Sequence, residues 1–175
     1  MKPFAIHLSG PAGSGKSYFS AALGKKFPGL YQIEFDKLKW QLAGYHRDSH
    51  SDLIKEIELG MFEVICKKKL PATVDYFCEN ESEYNACKKI ADDNSYIFVP
   101  IQLTAPKEVL LERFRKRVER AKKTERRISF TDESLLHENF SRKSYIPKNT
   151  RIFDTANTPV SQIVDQVIEM VQQLS

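Results

Sequence analysis

Apolar positions along this chain switch repeatedly between two spacings, alternation or short runs over four to eight residues and recurrence every three to four, the periods of strand and helix. Phe4-Ala5-Ile6-His7-Leu8 reads as a buried strand, and Ser17 to Lys26 reads as a helix. Phe27-Pro28-Gly29 breaks the chain, after which Leu30 to Phe35 alternates with period two, predicting a second strand that ends at Asp36. Helical spacing resumes from about Ser51 to Lys69, with Leu53, Ile54, Ile57, Met61, Phe62 and Ile65 on one face, until Pro71 stops it. Ala72-Thr73-Val74 is a short third strand ending at Asp75. A helix from about Ser82 to Asp92 leads into an apolar fourth strand, Tyr96 to Leu103, in which Pro100 calls for a bulge or a boundary. Pro106 opens a long helix through about Arg120, and Ser129 to Lys143 forms another, with a basic loop between them. Thr150 to Asp154 gives a fifth strand, and Thr158-Pro159 caps an amphipathic helix through Leu174.

Strands alternating with helices imply parallel βαβ units with right-handed crossovers, so helices cover both faces of a five-stranded parallel sheet. In such sheets ligands bind beyond the carboxyl ends of the strands. The segment after residue 9, Asp36, Asp75, Thr104-Ala105-Pro106 and Thr155-Ala156-Asn157 all follow strand ends, so they are expected to converge.

With 175 residues, 41% of them hydrophobic and 29% charged, the composition is that of one ordinary globular domain, without repeats or an 18-residue apolar run. No membrane span or cleavable signal is expected, which points to the cytosol. Cys66, Cys78 and Cys87 are odd in number and lack CxxC spacing, so reduced structural thiols are expected. Net charge is +4, and nine of the residues from Arg113 to Arg127 are Lys or Arg. Such a cationic arm suits closure over an anion; a nucleic-acid role is weaker, because apart from Phe114 aromatics are not interleaved with the charges.

The anion is named by Gly10-Pro11-Ala12-Gly13-Ser14-Gly15-Lys16-Ser17, which matches G-x-x-x-x-G-K-[ST], the loop that wraps the phosphates of nucleoside triphosphates. Backbone N–H groups must approach the phosphates closely, which Gly10, Gly13 and Gly15 permit. Lys16 carries an ammonium to the β- and γ-phosphates, and the Ser17 hydroxyl is a hard ligand for Mg²⁺. The strand before the loop and the helix after it are the frame this motif needs.

With Asp36 and Asp75 after the second and third strands, and Leu103-Thr104-Ala105-Pro106 followed by Arg113 and Arg117, the pattern resembles the small-molecule kinase branch of P-loop enzymes. That group holds shikimate, gluconate, adenylate and polynucleotide 5′-hydroxyl kinases and zeta-toxin-like kinases. The resemblance covers nearly the whole chain and implies a three-layer α/β/α P-loop NTPase fold with an Arg-rich helical lid at about residues 119–130. It implies ATP and Mg²⁺ as cofactors and a small-molecule or nucleotide phosphoryl acceptor as partner. Arg117 resembles the lid arginine that meets the transferring phosphate and Arg113 the one nearer the nucleotide, with Arg120, Arg126 and Arg127 able to share the lid role. Asp36 takes the place of the group that deprotonates the acceptor hydroxyl, and Asp75 that of a carboxylate close to Mg²⁺ or the acceptor. Tyr76, Phe77 and Glu79 could line the acceptor pocket, and Trp40, Tyr45, His46 and Arg47 lie in the segment that covers it. Thr155, Ala156 and Asn157 resemble the loop that contacts adenine.

A regulatory GTPase is disfavoured, since neither Asn-Lys-x-Asp nor Asp-x-x-Gly occurs, and no Walker B Asp-Glu pair points to a mechanical ATPase. Three readings stay open: transfer to a small molecule or nucleotide, transfer to a polynucleotide 5′-hydroxyl, and a non-catalytic ATP-binding regulator or scaffold.

Overall fold

A computed structural model of the chain describes residues 2–125, 127, 128, 131–142 and 144–175. Its strands are β1 (Phe4–Ser9), β2 (Tyr31–Glu34), β3 (Ala72–Asp75), β4 (Ile97–Thr104) and β5 (Arg151–Asp154). They form one all-parallel sheet in the order β2-β3-β1-β4-β5. The helices are α1 (Lys16–Lys26), α2 (Phe35–Lys39), α3 (Arg47–Lys67), α4 (Glu81–Asp93), α5 (Lys107–Thr124), α6 (Glu133–Ser141) and α7 (Val160–Gln173). With helices on both sides of the sheet, this is the α/β/α fold of P-loop NTPases.

The two faces have separate cores. On one, Phe19 and Leu23 of α1 and Ile163, Val164 and Val167 of α7 pack on Ile6, Leu8 and Ile101. On the other, Ile54, Phe62 and Cys66 of α3 and Tyr84 and Cys87 of α4 pack on Ala5, Ile33 and Val74. A small third cluster joins Phe114 of α5 to Leu136 of α6, with Ala12 of the phosphate loop against it. All three cysteines are free and buried, as expected of structural thiols. Pro100 sits inside β4 opposite His7, but pairing with β5 begins only at Ile101. The missing N–H therefore falls where β4 has a single neighbour, and no bulge is required.

Four sequence expectations are corrected. The second strand stops at Glu34, and Phe35 and Asp36 already belong to α2; Phe35 continued the alternation by chance while packing from the first turn of a helix. Leu53 and Ile57 stay 44% and 41% exposed, and Glu58 takes the buried place in that stripe of α3 instead. The helix α5 runs on to Thr124, so most of the basic stretch is helical. Finally, α7 starts after Pro159 with no side-chain cap. Asp132, whose carboxylate accepts from Ser134 N–H at 2.7 Å, caps α6, which begins at Glu133. Arg126, Ser129 and Phe130 of the expected lid, and Lys143 at the expected end of α6, lie outside the described residues. No helix among the described residues is long and apolar enough to cross a membrane.

Candidate active site

The loop between β1 and α1 has the backbone its sequence requires. Gly10 has φ +131°, and a Cβ there would lie 2.1 Å from the Leu103 carbonyl oxygen, so only glycine lets the loop turn this close to the end of β4. Gly15, at φ +100°, precedes α1 in the left-handed region. The N–H groups of the loop and of the first turn of α1 thus form an anion cradle. An oxygen acceptor already sits on one of them: Ala12 N–H donates to Asn139 Oδ1 of α6 at 3.4 Å.

Lys16, the first residue of α1, donates from Nζ to Gly10 O at 2.7 Å and lies 3.8 Å from Asp75 Oδ1. The ammonium is thereby parked between the loop and the end of β3. Ser17 Oγ donates to Glu34 Oε2 at 2.9 Å. Glu34 is the last residue of β2 and pairs in register with Asp75, the last of β3, so two carboxylates stand side by side at the sheet edge. Burial pushes the Asp75 carboxyl up to about 6; Lys16 opposes the shift, and Asp36 and Glu34 add to it. The Ser17 hydroxyl with Glu34 and Asp75 is an all-oxygen donor set, which fits Mg²⁺. Among the described residues no three His, Cys, Asp or Glu side chains are grouped to cage a metal. Mg²⁺ needs no such cage, because phosphate oxygens and water complete its shell.

Arg113 ties the other side of the loop. Its guanidinium donates to Gly13 O at 3.2 Å and to Oγ1 and O of Thr155, both at 2.8 Å. Thr155 in turn donates from Oγ1 to Thr104 O at 3.0 Å, so the ends of β4 and β5 meet beside the phosphate loop. Ala156 N–H and Asn157 Nδ2 both donate to the Asp154 carboxylate, which shapes the turn. Arg117, one turn beyond Arg113, lies over the Phe114 ring at 5.9 Å. Arg120 is exposed on the outer part of α5.

The convergence read from strand ends is therefore met by the loop, Asp75, Thr104 and Thr155, with Arg113 of α5 tying the loop to Thr155. Asp36 differs. It sits on the first turn of α2, 59% exposed, with Lys39 Nζ at 2.5 Å from Oδ1. It is still near enough to the sheet edge for its charge to help raise the Asp75 carboxyl. Lys39 also lies 4.8 Å over the Trp40 ring. Trp40, Val118, Ala121 and Ile128 line a groove of about 510 Å³, so the segment after β2 faces the end of α5. Tyr45 packs edge-on to Phe35 at 6.3 Å, and His46 and Arg47 begin α3, where His46 N–H donates to His50 Nδ1. Of the proposed pocket residues beyond β3, Tyr76 is core, Glu79 is exposed, and only Phe77 faces a cavity.

Four residues matter here that local sequence signals do not single out as part of the site. Glu34 is a buried carboxylate on Ser17, and its signal was an acidic residue in the last inward position of an edge strand. Asn139 of α6 and Arg142 just past its end reach the loop and the segment after β3, and nothing in the local sequence marks them. Buried His7, held neutral with its pKa lowered to about 4, donates from Nε2 to Tyr76 O at 2.9 Å and pins the chain just past Asp75.

The sequence model of the AAA domain family matches residues 6–139, from β1 through the loop and both arginines into α6. The chain belongs to that family. Among solved structures, the chain is similar to a gluconokinase from Sinorhizobium meliloti (20% identity, 98% of this chain and 95% of that one, TM-score 0.65). It is also similar to the APS kinase CysC of Mycobacterium tuberculosis in complex with AMPPNP and APS (15%, 98% of each chain, TM-score 0.65). A tunicamycin resistance protein from Deinococcus radiodurans is a third (18%, 97% and 96%, TM-score 0.61). No match is found among curated protein sequences. At these identities the solved structures speak to the fold, and the family match agrees with the P-loop small-molecule kinase resemblance read from the loop and the arginine pair.

Proposed function

We propose that this AAA-domain protein is an ATP-dependent phosphotransferase that moves the γ-phosphate of ATP to a hydroxyl or phosphate oxygen of a small molecule or nucleotide. The observation that carries the reading is the gathering, at one sheet edge, of the loop with Lys16, the Ser17–Glu34–Asp75 oxygen set and Arg113. Phosphoryl transfer requires little else of a protein: positions for donor and acceptor, and positive charge where the transferring group spreads its negative charge.

On binding, Lys16 exchanges Gly10 O and Asp75 for the β- and γ-phosphates, while the loop amides and the start of α1 hold their oxygens. Mg²⁺, when bound, supplies a Lewis acid at the same phosphates. Arg113 holds the nucleotide side, and Arg117 and the end of α5 close over the γ-phosphate to exclude water. The acceptor oxygen forms the new bond to phosphorus as the bond to the β,γ-bridging oxygen breaks and ADP leaves. When the acceptor is a hydroxyl, its proton passes to a carboxylate at the edge, Asp36 or Asp75. The structural neighbours support this reading in kind: one is a gluconokinase, and another an APS kinase seen with AMPPNP and APS.

The test is label transfer from [γ-³²P]ATP·Mg²⁺ to an acceptor panel with wild type, Lys16→Ala, Asp36→Asn and Asp75→Asn. The reading expects transfer that Lys16→Ala abolishes and that one of the two Asp→Asn changes removes while ATP binding persists. ATP binding that needs Lys16, with no label in any acceptor, would make the protein a nucleotide-binding scaffold.

A further inference from the structure

Beside the first residues of the phosphate loop lies a cavity of about 650 Å³, within the range of sites that enclose a small-molecule ligand. Gly10 and Pro11 form one wall, and the opposite walls come from Phe77 beyond β3 and from His137, Phe140 and Arg142 of α6 and its end. The enclosure is fastened by long-range contacts. Tyr145 N–H donates to Cys78 O at 2.8 Å, and Arg142 Nη2 donates to Glu79 Oε1 at 2.7 Å. The Tyr145 ring also packs on Tyr84 at 5.8 Å. A molecule seated here adjoins the stretch of loop that receives the outermost phosphate.

The lining has a distinct chemistry. Among the described residues its ionisable members are Lys107, His137 and Arg142, and no described Asp or Glu lines it. The carboxylates of this edge, Glu34, Asp36 and Asp75, lie outside it. A cationic acceptor would find no counter-charge in the cavity, and a sugar would find no carboxylate for its hydroxyls, whereas an anion meets fork-shaped and point-like donors. The Glu79 carboxylate that Arg142 already holds belongs to an exposed pair of small worth, and a guanidinium with five N–H groups serves a second anion without releasing the first. The walls also offer flat surfaces: the Phe77 ring, with the Arg142 guanidinium stacked over it at 4.5 Å, and the Phe140 ring. Aromatic faces and stacked guanidinium planes bind planar rings.

We propose that this cavity holds the phosphoryl acceptor, and that the acceptor is nucleotide-like: a planar ring carrying an anionic group, the ring against Phe77 and the anion on Arg142. This rests on the kinase reading of the neighbouring loop. The test is calorimetric binding to the full chain saturated with AMPPNP·Mg²⁺, so that the triphosphate site is closed to the probes. The probes are uridine 3′- and 5′-monophosphate, AMP, uridine, glucose and glucose 6-phosphate. At least one nucleoside monophosphate is expected to bind about tenfold or more tighter than uridine, as loss of a hydrogen bond to a charged group implies, and tighter than glucose 6-phosphate, which keeps the anion but lacks the planar ring. Arg142→Ala reduces that probe to the level of uridine, and Arg142→Lys restores part of the difference by keeping the charge without the plane. Glucose or glucose 6-phosphate binding as tightly as every monophosphate, no monophosphate binding at all, or indifference to Arg142→Ala would each overturn the assignment. Failure of AMPPNP·Mg²⁺ itself to bind would instead overturn the kinase reading, so the two failures are distinguishable.

Discussion

Glu58 offers a sharp physical test, because it is a carboxyl group with 0% exposure in the middle of α3, and neither of its oxygens has a hydrogen-bond partner among the described residues. Burial, with the charges of Asp75 and Asp36 added and Lys55 opposing, pushes it from 4.5 to about 9. At neutral pH it is therefore a protonated acid in the fold and a carboxylate in the unfolded chain. The folded state holds the extra proton between those two values, so stability falls as pH rises from about 4.5 towards 9. Each pH unit costs about 1.4 kcal/mol, so keeping Glu58 protonated costs roughly 3 kcal/mol at pH 7. Glu58→Gln keeps the shape and a neutral polar group but has nothing to titrate. Thermal melts followed by circular dichroism at pH 4.5, 6, 7 and 8 should give equal midpoints at the lowest pH and a gap that widens with pH. At pH 7 the variant should melt higher by up to about 6–12 °C, using roughly 2–4 °C per kcal/mol for a domain of this size. A variant less stable than wild type by the same margin at every pH would refute the reasoning, since it would mean that Glu58 is ionised or paired in the folded chain.

Two further outcomes follow from the site. Arg113→Ala removes three hydrogen bonds that join Gly13 to Thr155, and fluorescence titration should show ATP affinity reduced by about tenfold or more, at about 1.5–3 kcal/mol for hydrogen bonds from a charged donor. Because the Asp75 carboxyl is raised from 3.8 to about 6, the stability it contributes is present at low pH and is lost as pH rises through that window. If Asp75 takes the acceptor proton, transfer runs the opposite way: kcat/KM should fall as pH drops through about 6, and Asp75→Asn should leave a low rate without that limb, whereas an unchanged profile would remove Asp75 from the proton path.

How much of this was legible in the sequence depended on whether a feature was local. The phosphate loop is eight consecutive residues whose spacing is dictated by the ligand, and the βαβ alternation is dictated by burial, so loop, sheet and sheet edge were readable directly. The alternation overruns the second strand because Phe35 sits where an alternating strand would place it, yet Phe35 to Lys39 turn as a helix. Glu34, the true end of the strand, is thereby masked in the sequence by Asp36. The buried stripe of α3 departs from the apolar pattern because exposure there does not follow hydrophobicity. Leu53 and Ile57 face outward, and an acid that is neutral in the fold holds a core position. The cavity beside the loop was illegible for a different reason. Its walls are joined by contacts such as Arg142 to Glu79, 63 residues apart, and Ala12 to Asn139, 127 apart, which only the docking of α6 creates.

The central claim is that the loop holds a triphosphate for transfer. Its most direct measurement is the fate of the γ-phosphate label from ATP·Mg²⁺ incubated with the full chain and nucleoside monophosphates, sugars and 5′-hydroxyl oligonucleotides, with Lys16→Ala alongside. Label in an acceptor with wild type and none with Lys16→Ala is the predicted result. Label that stays in bound ATP, or appears only as inorganic phosphate whichever acceptor is present, would contradict it.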